Sequence, residues 1–332
     1  MITVLSLFDG ISGAKQALKE LNIDCEYYAS EIDRYAIQVA KNNHPDIIHI
    51  GDVKGIEIED SYIFYNQNID LLIGGSPCQD LSIAKKDRKG LNGERSSLFY
   101  EYLRILNGAK PKYFILENVA SMPNDAKNEI TKNLFGIEPI LINSSLLTAQ
   151  QRKRMYWVGS LQEDGSYKKI DIKQPDDKGI LLKDILENGL DLITEPILYN
   201  QYNQRTLKDK SATLSTSSGS RTAIAGMVVV EPVKIGYYNK GGQGDRIYSV
   251  KGKSVCLSAN GGGRGAKTGL YKIDLPDGDY IVRKLTPNEC ARLQGFPDNY
   301  CQGISNTQAY KCFGNSFTVP VIKHILQQLN LF

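Results

Sequence analysis

Several things are scarce in this sequence of 332 residues. Its six cysteines (Cys25, Cys78, Cys256, Cys290, Cys301 and Cys312) form no Cys-x-x-Cys pair, and its three histidines are scattered. That argues against a disulfide framework and against a zinc site, and no metal is expected. No apolar stretch approaches the roughly 18 residues of a membrane span. The opening "MITVLSLFDG" has neither a basic n-region nor a small-residue cleavage site, so no signal peptide is expected and the protein is expected in the cytoplasm. Charge of one sign is also scarce: the net value is +3, which by itself says nothing about nucleic acid.

The distribution of that charge says more. Between Ser82 and Arg95 stand five basic residues (85, 86, 88, 89 and 95) and two acids, and between Val233 and Leu270 seven basic residues and one acid. One such run is ordinarily a solvated face. Two of them, both in polar or glycine-rich sequence, point to an anionic partner.

With 41% hydrophobic residues the chain can build one large core with room for a smaller unit. Over the first 160 residues, short apolar runs alternate with helical patterns. "ITVLSLF", "EYYAS", "IDLLIGG", "KYFILENV", "PILINS" and "RMYWVGS" read as strands; "GAKQALKEL", "RYAIQVAKN" and "SSLFYEYLRIL" carry helical spacing. Strand alternating with helix implies an α/β fold with a doubly wound, mostly parallel sheet, whose ligands lie beyond the carboxyl ends of the strands. From about 165 to 282 glycine, serine and basic residues dominate and helical periodicity fades. A weak repeat lies here: "KSATLSTSSGSR" (210–221) matches "KSVCLSANGGGR" (253–264). It fits two loops of one binding surface or a duplicated hairpin. The closing "KCFGNSFTVPVIKHILQQL" reads as an amphipathic helix able to pack back on the first unit.

Three strand ends carry candidate chemistry. In "LFDGISGAKQAL" a strand gives way to a turn and a helix, and Gly10 and Gly13 permit close backbone approach to a ligand. The spacing is not GxGxxG, and Asp9 would repel a pyrophosphate, so a dinucleotide is disfavoured and a neutral or cationic ligand favoured. Glu31 stands where an acid can accept from two ribose hydroxyls, and Asp52 where one can accept from an adenine amino group. Each also suits a helix cap. In "GGSPCQD", Pro77 stiffens the turn that carries Cys78 and Gly74-Gly75 clears the space beside it. A thiolate presented there is a nucleophile, whereas most lone cysteines are small core residues. Glu117 ends "YFILENV" and can exchange a proton opposite Cys78. In "QQRKRMYW", Arg152 and Arg154 share a face by the period of two.

In this order "FDGISG", "SEID", "GD", "GGSPCQ", "ENV", "QQRKR", "RKLTPNECARLQGFP" and "GNSFTVPV" resemble the DNA (cytosine-5) methyltransferase family over nearly the whole chain. The resemblance implies a Rossmann-like catalytic domain, residues 1–165 plus 283–332, and a smaller, β-rich and irregular target-recognition domain, residues 166–282. It implies S-adenosylmethionine as cofactor and double-stranded DNA as partner. Cys78 would attack carbon 6 of a cytosine flipped out of the duplex, helped by Glu117, Arg152 and Arg154 with Gln150 beside them. Phe8, Asp9, Gly10, Gly13, Glu31, Ile32, Asp52, Pro77, Asn315 and Ser316 would line the cofactor pocket, joined by Phe317. The basic segment 82–95, with Ser82, Lys89 and Arg95, corresponds to the family's mobile active-site loop. The stretch from "GGQGDRIYS" to "GGGRGAKTGLY" resembles the recognition region of the small bacterial member that reads GCGC, which nominates Gln243, Arg246 and Arg264 for DNA contact. The first repeat, 210–221, has no counterpart there. The chain has a bacterial or phage look, and a monomer, alone or paired with a restriction endonuclease, is expected. Alternatives are a tRNA cytosine-5 methyltransferase, against which the missing Cys-Phe-Thr tripeptide speaks, and a non-catalytic DNA-binding homologue.

Overall fold

Burial on both faces explains why the apolar runs become the inner strands of one sheet. The computed structural model describes residues 1–58, 68–76, 98–187, 222–224, 227–229, 231–237, 243–258, 269–274 and 280–331. The large sheet comprises β1 (Ile2–Leu7), β2 (Cys25–Ser30), β3 (Ile48–Gly51), β4 (Leu71–Gly75), β5 (Tyr113–Val119), β6 (Ile140–Asn143), β7 (Lys153–Leu161) and β8 (Tyr167–Lys169). Its order is β3-β2-β1-β4-β5-β7-β6, with β8 added to β7. The pairs among β1 to β5 are parallel, and β7 runs antiparallel to β5, β6 and β8. The fold is therefore the expected α/β class with a mostly parallel sheet. The strand order reverses between β1 and β4, which opens a crevice at their carboxyl ends. Strand β8 carries the large sheet past residue 165, into sequence whose texture had already changed.

Side-chain alternation divides the core into two layers. Val4, Ile73, Ile115 and Tyr156 face one cluster; Leu5, Leu72, Phe114 and Trp157 face the other. The second is covered by helices α3 (Leu98–Ala109) and α4 (Asn124–Asn133), of which α4 was not among the expected elements. The first is covered by α1 (Gly13–Glu20), α2 (Arg34–Asn43), α5 (Pro287–Gln294), α6 (Asn306–Asn315) and α7 (Val319–Leu326). Helix α7 packs on α1, and Lys323 Nζ meets Glu20 Oε2 at 2.7 Å.

The closing stretch is two helices rather than the single one its periodicity suggests. Ser316 is extended, with φ −73° and ψ 161°, and Pro320 sits in the first turn of α7, where its missing N–H costs nothing. The break leaves Asn315, Ser316 and Phe317 on a turn.

A second sheet of four short strands, β11 (Lys234–Tyr237), β12 (Arg246–Ser249), β13 (Leu270–Asp274) and β14 (Tyr280–Arg283), is mixed, and β9 (Thr222–Ile224) pairs with β10 (Met227–Val229) separately. Tyr248, Val250, Leu257 and Tyr271 join the first core layer, so the small sheet shares a core with the large one. Residues 253–257 stitch the two together. Ser254 N–H donates to Ala149 O at 2.6 Å, and Gln151 N–H donates to Ser254 O at 2.8 Å. Lys253, counted above among the basic residues of an anion-facing run, is only 1% exposed, and its ammonium donates to the carbonyls of Ser145, Thr148 and Ile180. Its charge is spent inside the protein. The matching repeat at 210–221 lies outside the described residues.

Candidate active site

The turn after β1 is bent by left-handed backbone at Phe8 (φ 56°), Gly10 (φ 62°) and Ser12 (φ 60°). For the two non-glycine residues this conformation costs of order 1–3 kcal/mol each, and it persists only where neighbours over-determine it. Here they do. The buried Asp9 carboxylate accepts from the hydroxyl of Tyr27 at 2.7 Å and from that of Ser12. Glu31 Oε2 accepts from Gly10 N–H at 2.8 Å, and Tyr300 donates its hydroxyl to Ile11 O at 3.0 Å. Burial pushes Asp9 up to about 6, even with hydroxyls donating to it.

Glu31 also accepts from the N–H groups of Ile32 and Asp33, both at 2.8 Å, so it is tied to the backbone on both oxygens. Asp33, not Glu31, caps α2. Asp52 caps a short turn through Lys54 N–H at 3.1 Å, the capping role held open for it. Beside these acids Ile32 is 73% exposed, an apolar side chain left in the open. A Cβ added at Gly10 would meet nothing within 4 Å, so the backbone there faces free space. Acids at the rim, an uncovered apolar side chain and an accessible glycine fit an adenosyl ligand bearing a positive sulfonium, and they do not fit a pyrophosphate.

The turn between α6 and α7 closes the crevice from the other side. Asn315 is exposed, whereas Ser316 is buried and donates its hydroxyl to Phe313 O. Phe317 fills the space between two glycines. A Cβ on Gly13 would come to 3.2 Å from Phe317 Cβ, and one on Gly75 to 3.2 Å from its ring.

Glu117 lies at the end of β5, directly opposite Tyr156 of β7. Arg154, two residues away on the same face, reaches it diagonally: Nε to Oε1 is 2.8 Å, with the two side chains 14% and 15% exposed. The other carboxylate oxygen would lie 2.9 Å from a Cβ on Gly75, so that glycine makes room for the acid. Next to it, buried Asn118 donates to Ser76 Oγ at 3.1 Å, which pins the residue leading into "PCQD". Pro77, Cys78, Ser82, Lys89, Arg95 and Arg264 lie outside the described residues.

Arg152 lies near Arg154 but bonds different partners. It is 4% exposed and donates to Leu257 O at 3.2 Å, Gly314 O at 3.1 Å and Ser316 O at 3.0 Å. Gln150 is equally committed, to Leu293 O, Gln294 Oε1 and Leu257 N–H. In the small sheet, Gln243 is exposed on a short turn before β12, and Arg246 begins that strand with a buried Nε that has no hydrogen-bond partner among the described residues. The structure thus gathers Phe8–Gly13, Glu31, Gly75, Glu117 and Asn315–Phe317 around one crevice. Sequence reasoning passed over Tyr27, whose hydroxyl holds Asp9, and Cys256. The one sequence signal for Cys256 was its place in the repeat, where the first copy has Thr213.

Comparison with known proteins identifies the family. The family model described as C-5 cytosine-specific DNA methylase matches residues 2–330. The chain is 32% identical over 330 residues to the type II methyltransferase M.HhaI of Haemophilus parahaemolyticus, covering 97% of this chain and 92% of the relative. It is 27% identical to the orphan methyltransferase M.SPRI of Bacillus phage SPR, covering 99% and 97%. Among solved structures, the Entamoeba histolytica methyltransferase EhMeth superposes with a TM-score of 0.69 at 19% identity, covering 99% and 97%.

Proposed function

The chain belongs to the C-5 cytosine-specific DNA methylases, and from that premise we propose that it is a sequence-specific DNA methyltransferase whose nucleophile is Cys78. S-adenosylmethionine supplies an electrophilic methyl group. Glu31 and the backbone at Gly10, with Phe8, Asp52, Ile32 and the Asn315–Phe317 turn, would hold that cofactor, and Asp9 would hold the turn from beneath. Cys78 adds to carbon 6 of the cytosine. Glu117 bonds ring nitrogen 3 and the exocyclic amine, drawing electrons from the ring as the sulfur attacks. Carbon 5 becomes nucleophilic and is methylated; loss of its proton and expulsion of Cys78 regenerate the enzyme. The chemistry needs the base outside the helix, at an unstacking cost of a few kcal/mol.

The observation that carries this reading is the Glu117–Arg154 pair at 2.8 Å, on the rim where Asn118 holds Ser76. Arg154 keeps Glu117 oriented at the crevice. Residues 1–165 with 283–332 form the catalytic unit and 166–282, apart from β8 in the large sheet, the recognition unit. Within the latter, Gln243 and Arg246 read DNA, Arg246 by a bidentate bond to guanine, while Ser82, Lys89, Arg95 and Arg264 contact the strand. The target is short, G·C-rich and contains GC, as the resemblance of the recognition region suggests. The enzyme acts as a cytoplasmic monomer in a bacterial or phage-infected cell, with or without a companion endonuclease. Incubation with labelled S-adenosylmethionine and DNA tests the mechanism: wild type transfers label and Cys78→Ala does not. Transfer that survives the substitution defeats the covalent route. Bisulfite sequencing of a host expressing the protein tests the target; methylation confined to A·T-rich contexts refutes it.

A further inference from the structure

Arg152 is a buried cation whose bonds, among the described residues, go to no carboxylate. Its guanidinium spans two segments that are far apart in the chain. Nη2 donates to Gly314 O at 3.1 Å and Ser316 O at 3.0 Å, on the turn that borders the cofactor crevice. Nη1 donates to Leu257 O at 3.2 Å and lies 3.6 Å from Cys256 Sγ. The thiol itself donates to the same Leu257 carbonyl at 3.4 Å. Residues 254–257 are the strip that docks the small sheet against the large one. A guanidinium is a rigid planar fork, so a shift of the acceptors on one side moves the donors presented to the other. Burial pushes the Cys256 thiol up, and the positive charge of Arg152, then Arg154, more than offsets it, leaving the group below its ordinary range. The sulfur thus feels both arginines of the site.

We propose that Arg152 and Cys256 form a clamp coupling the cofactor-side turn at 314–316 to the recognition segment at 254–257, so that seating DNA tightens the cofactor pocket and cofactor tightens the grip on DNA. The two are positioning residues, and their assignment rests on the methyltransferase reading above. Linkage requires the effect to be reciprocal.

Two measurements test the clamp, one of them without cofactor. S-adenosylhomocysteine binding is measured by calorimetry with and without fragmented plasmid DNA, which carries sites for any short target. Wild type binds it on the order of tenfold more tightly with DNA present, within the usual span of coupling. Arg152→Lys, which cannot span both sets of carbonyls, loses that ratio, leaving about a twofold difference at most. Cys256→Ala lowers the ratio more than Cys256→Ser, which restores a polar partner. Hydrogen exchange at residues 313–317 slows when DNA alone is added to wild type, and does not in Arg152→Lys. If Arg152→Lys fails to fold, the order of the two Cys256 variants decides. A folded Arg152→Lys that keeps both the ratio and the protection overturns the clamp, as does equal behaviour of the two Cys256 variants. A wild type that binds no S-adenosylhomocysteine under either condition counts instead against the methyltransferase reading.

Discussion

At the carboxyl ends of β1, β2 and β5, polar side chains are held by named partners: Asp9 by Tyr27 and Ser12, Glu31 by three backbone N–H groups, Glu117 by Arg154, Asn118 by Ser76. On and just before the outer strand of the small sheet, Val233, Ile235 and Tyr237 are 38%, 43% and 46% exposed, and the Tyr237 hydroxyl accepts from Lys234 on the same strand. Both regions serve one protein, but they meet different demands. A reacting base needs donors and acceptors fixed before it arrives, and buried polar groups must be satisfied to be tolerated at all. A small sheet that shares the core of its neighbour through Tyr248 and Tyr271 can leave its far edge nearly free of constraint.

That contrast predicts how substitutions will rank. The largest effect falls on Glu117. Its replacement by alanine removes the carboxylate at the crevice and lowers kcat by on the order of 10²–10⁴. S-adenosylhomocysteine binding changes little, which calorimetry on the same preparation will show.

Next come two buried titratable groups of opposite sign. Asp9 is raised from 3.8 to about 6 by burial. Its stabilising influence is full below the unfolded value and is lost as pH rises through about 6, a change of ~3 kcal/mol at 1.36 kcal/mol per unit. His44, whose Nε2 lies 3.0 Å from the Tyr300 hydroxyl, is lowered by burial from 6.5 to about 4. It contributes stability above 6.5 that is lost as pH falls toward 4, again ~3 kcal/mol. In wild type the two slopes largely cancel between pH 4 and 6.5. In urea titrations across that window, Asp9→Asn gains stability with rising pH and His44→Gln loses it. Parallel behaviour of the two variants would contradict the assignment.

Gly75→Ala is a smaller perturbation. Its Cβ would stand 2.9 Å from Glu117 Oε2 and 3.2 Å from the Phe317 ring, so the acid must turn aside. We expect kcat to fall about tenfold, roughly 1.4 kcal/mol of transition-state stabilisation, with the unfolding midpoint nearly unchanged. The smallest effect is expected at Ile235→Ser in β11, within about 0.5 kcal/mol of wild type in thermal unfolding. A cost several times larger would mean that the outer strand is packed against something, and would erase the contrast.

Much of the large sheet was legible because period and burial coincide: "IDLLIGG" and "KYFILENV" announce strands buried on both faces, and "GAKQALKEL" a helix with one apolar side. Glu31 and Glu117 drew attention for different reasons: Glu31 follows a strand where an acid can accept from ribose hydroxyls, and Glu117 is an acid costly to bury after an apolar run. Arg152 shows what was not. Its spacing from Arg154 put the two on one face, yet its partners are carbonyls 105 to 164 residues away, and a carbonyl has no sequence signature. Asp9 is similar: its acidity suggested a role toward a cationic ligand, while the hydroxyls of Tyr27 and Ser12 turn it toward the interior. The break between α6 and α7 falls at 316–318, where the chain turns extended before Pro320 enters the next helix. Lys253 was counted as surface charge because composition cannot tell a solvated ammonium from one ringed by backbone oxygens.

The contact between Gly13 and Phe317 also has a meaning in time. The two residues are separated by about 300 positions, and ribosomes add roughly 5–20 residues per second, so the far wall of the crevice arrives some 15–60 s after the near one. Through that interval the nascent chain has the turn after β1 but neither Phe317 to pack beside it nor α7 to lie on α1. Until those residues emerge, the crevice stands open on the side that Phe317 will line.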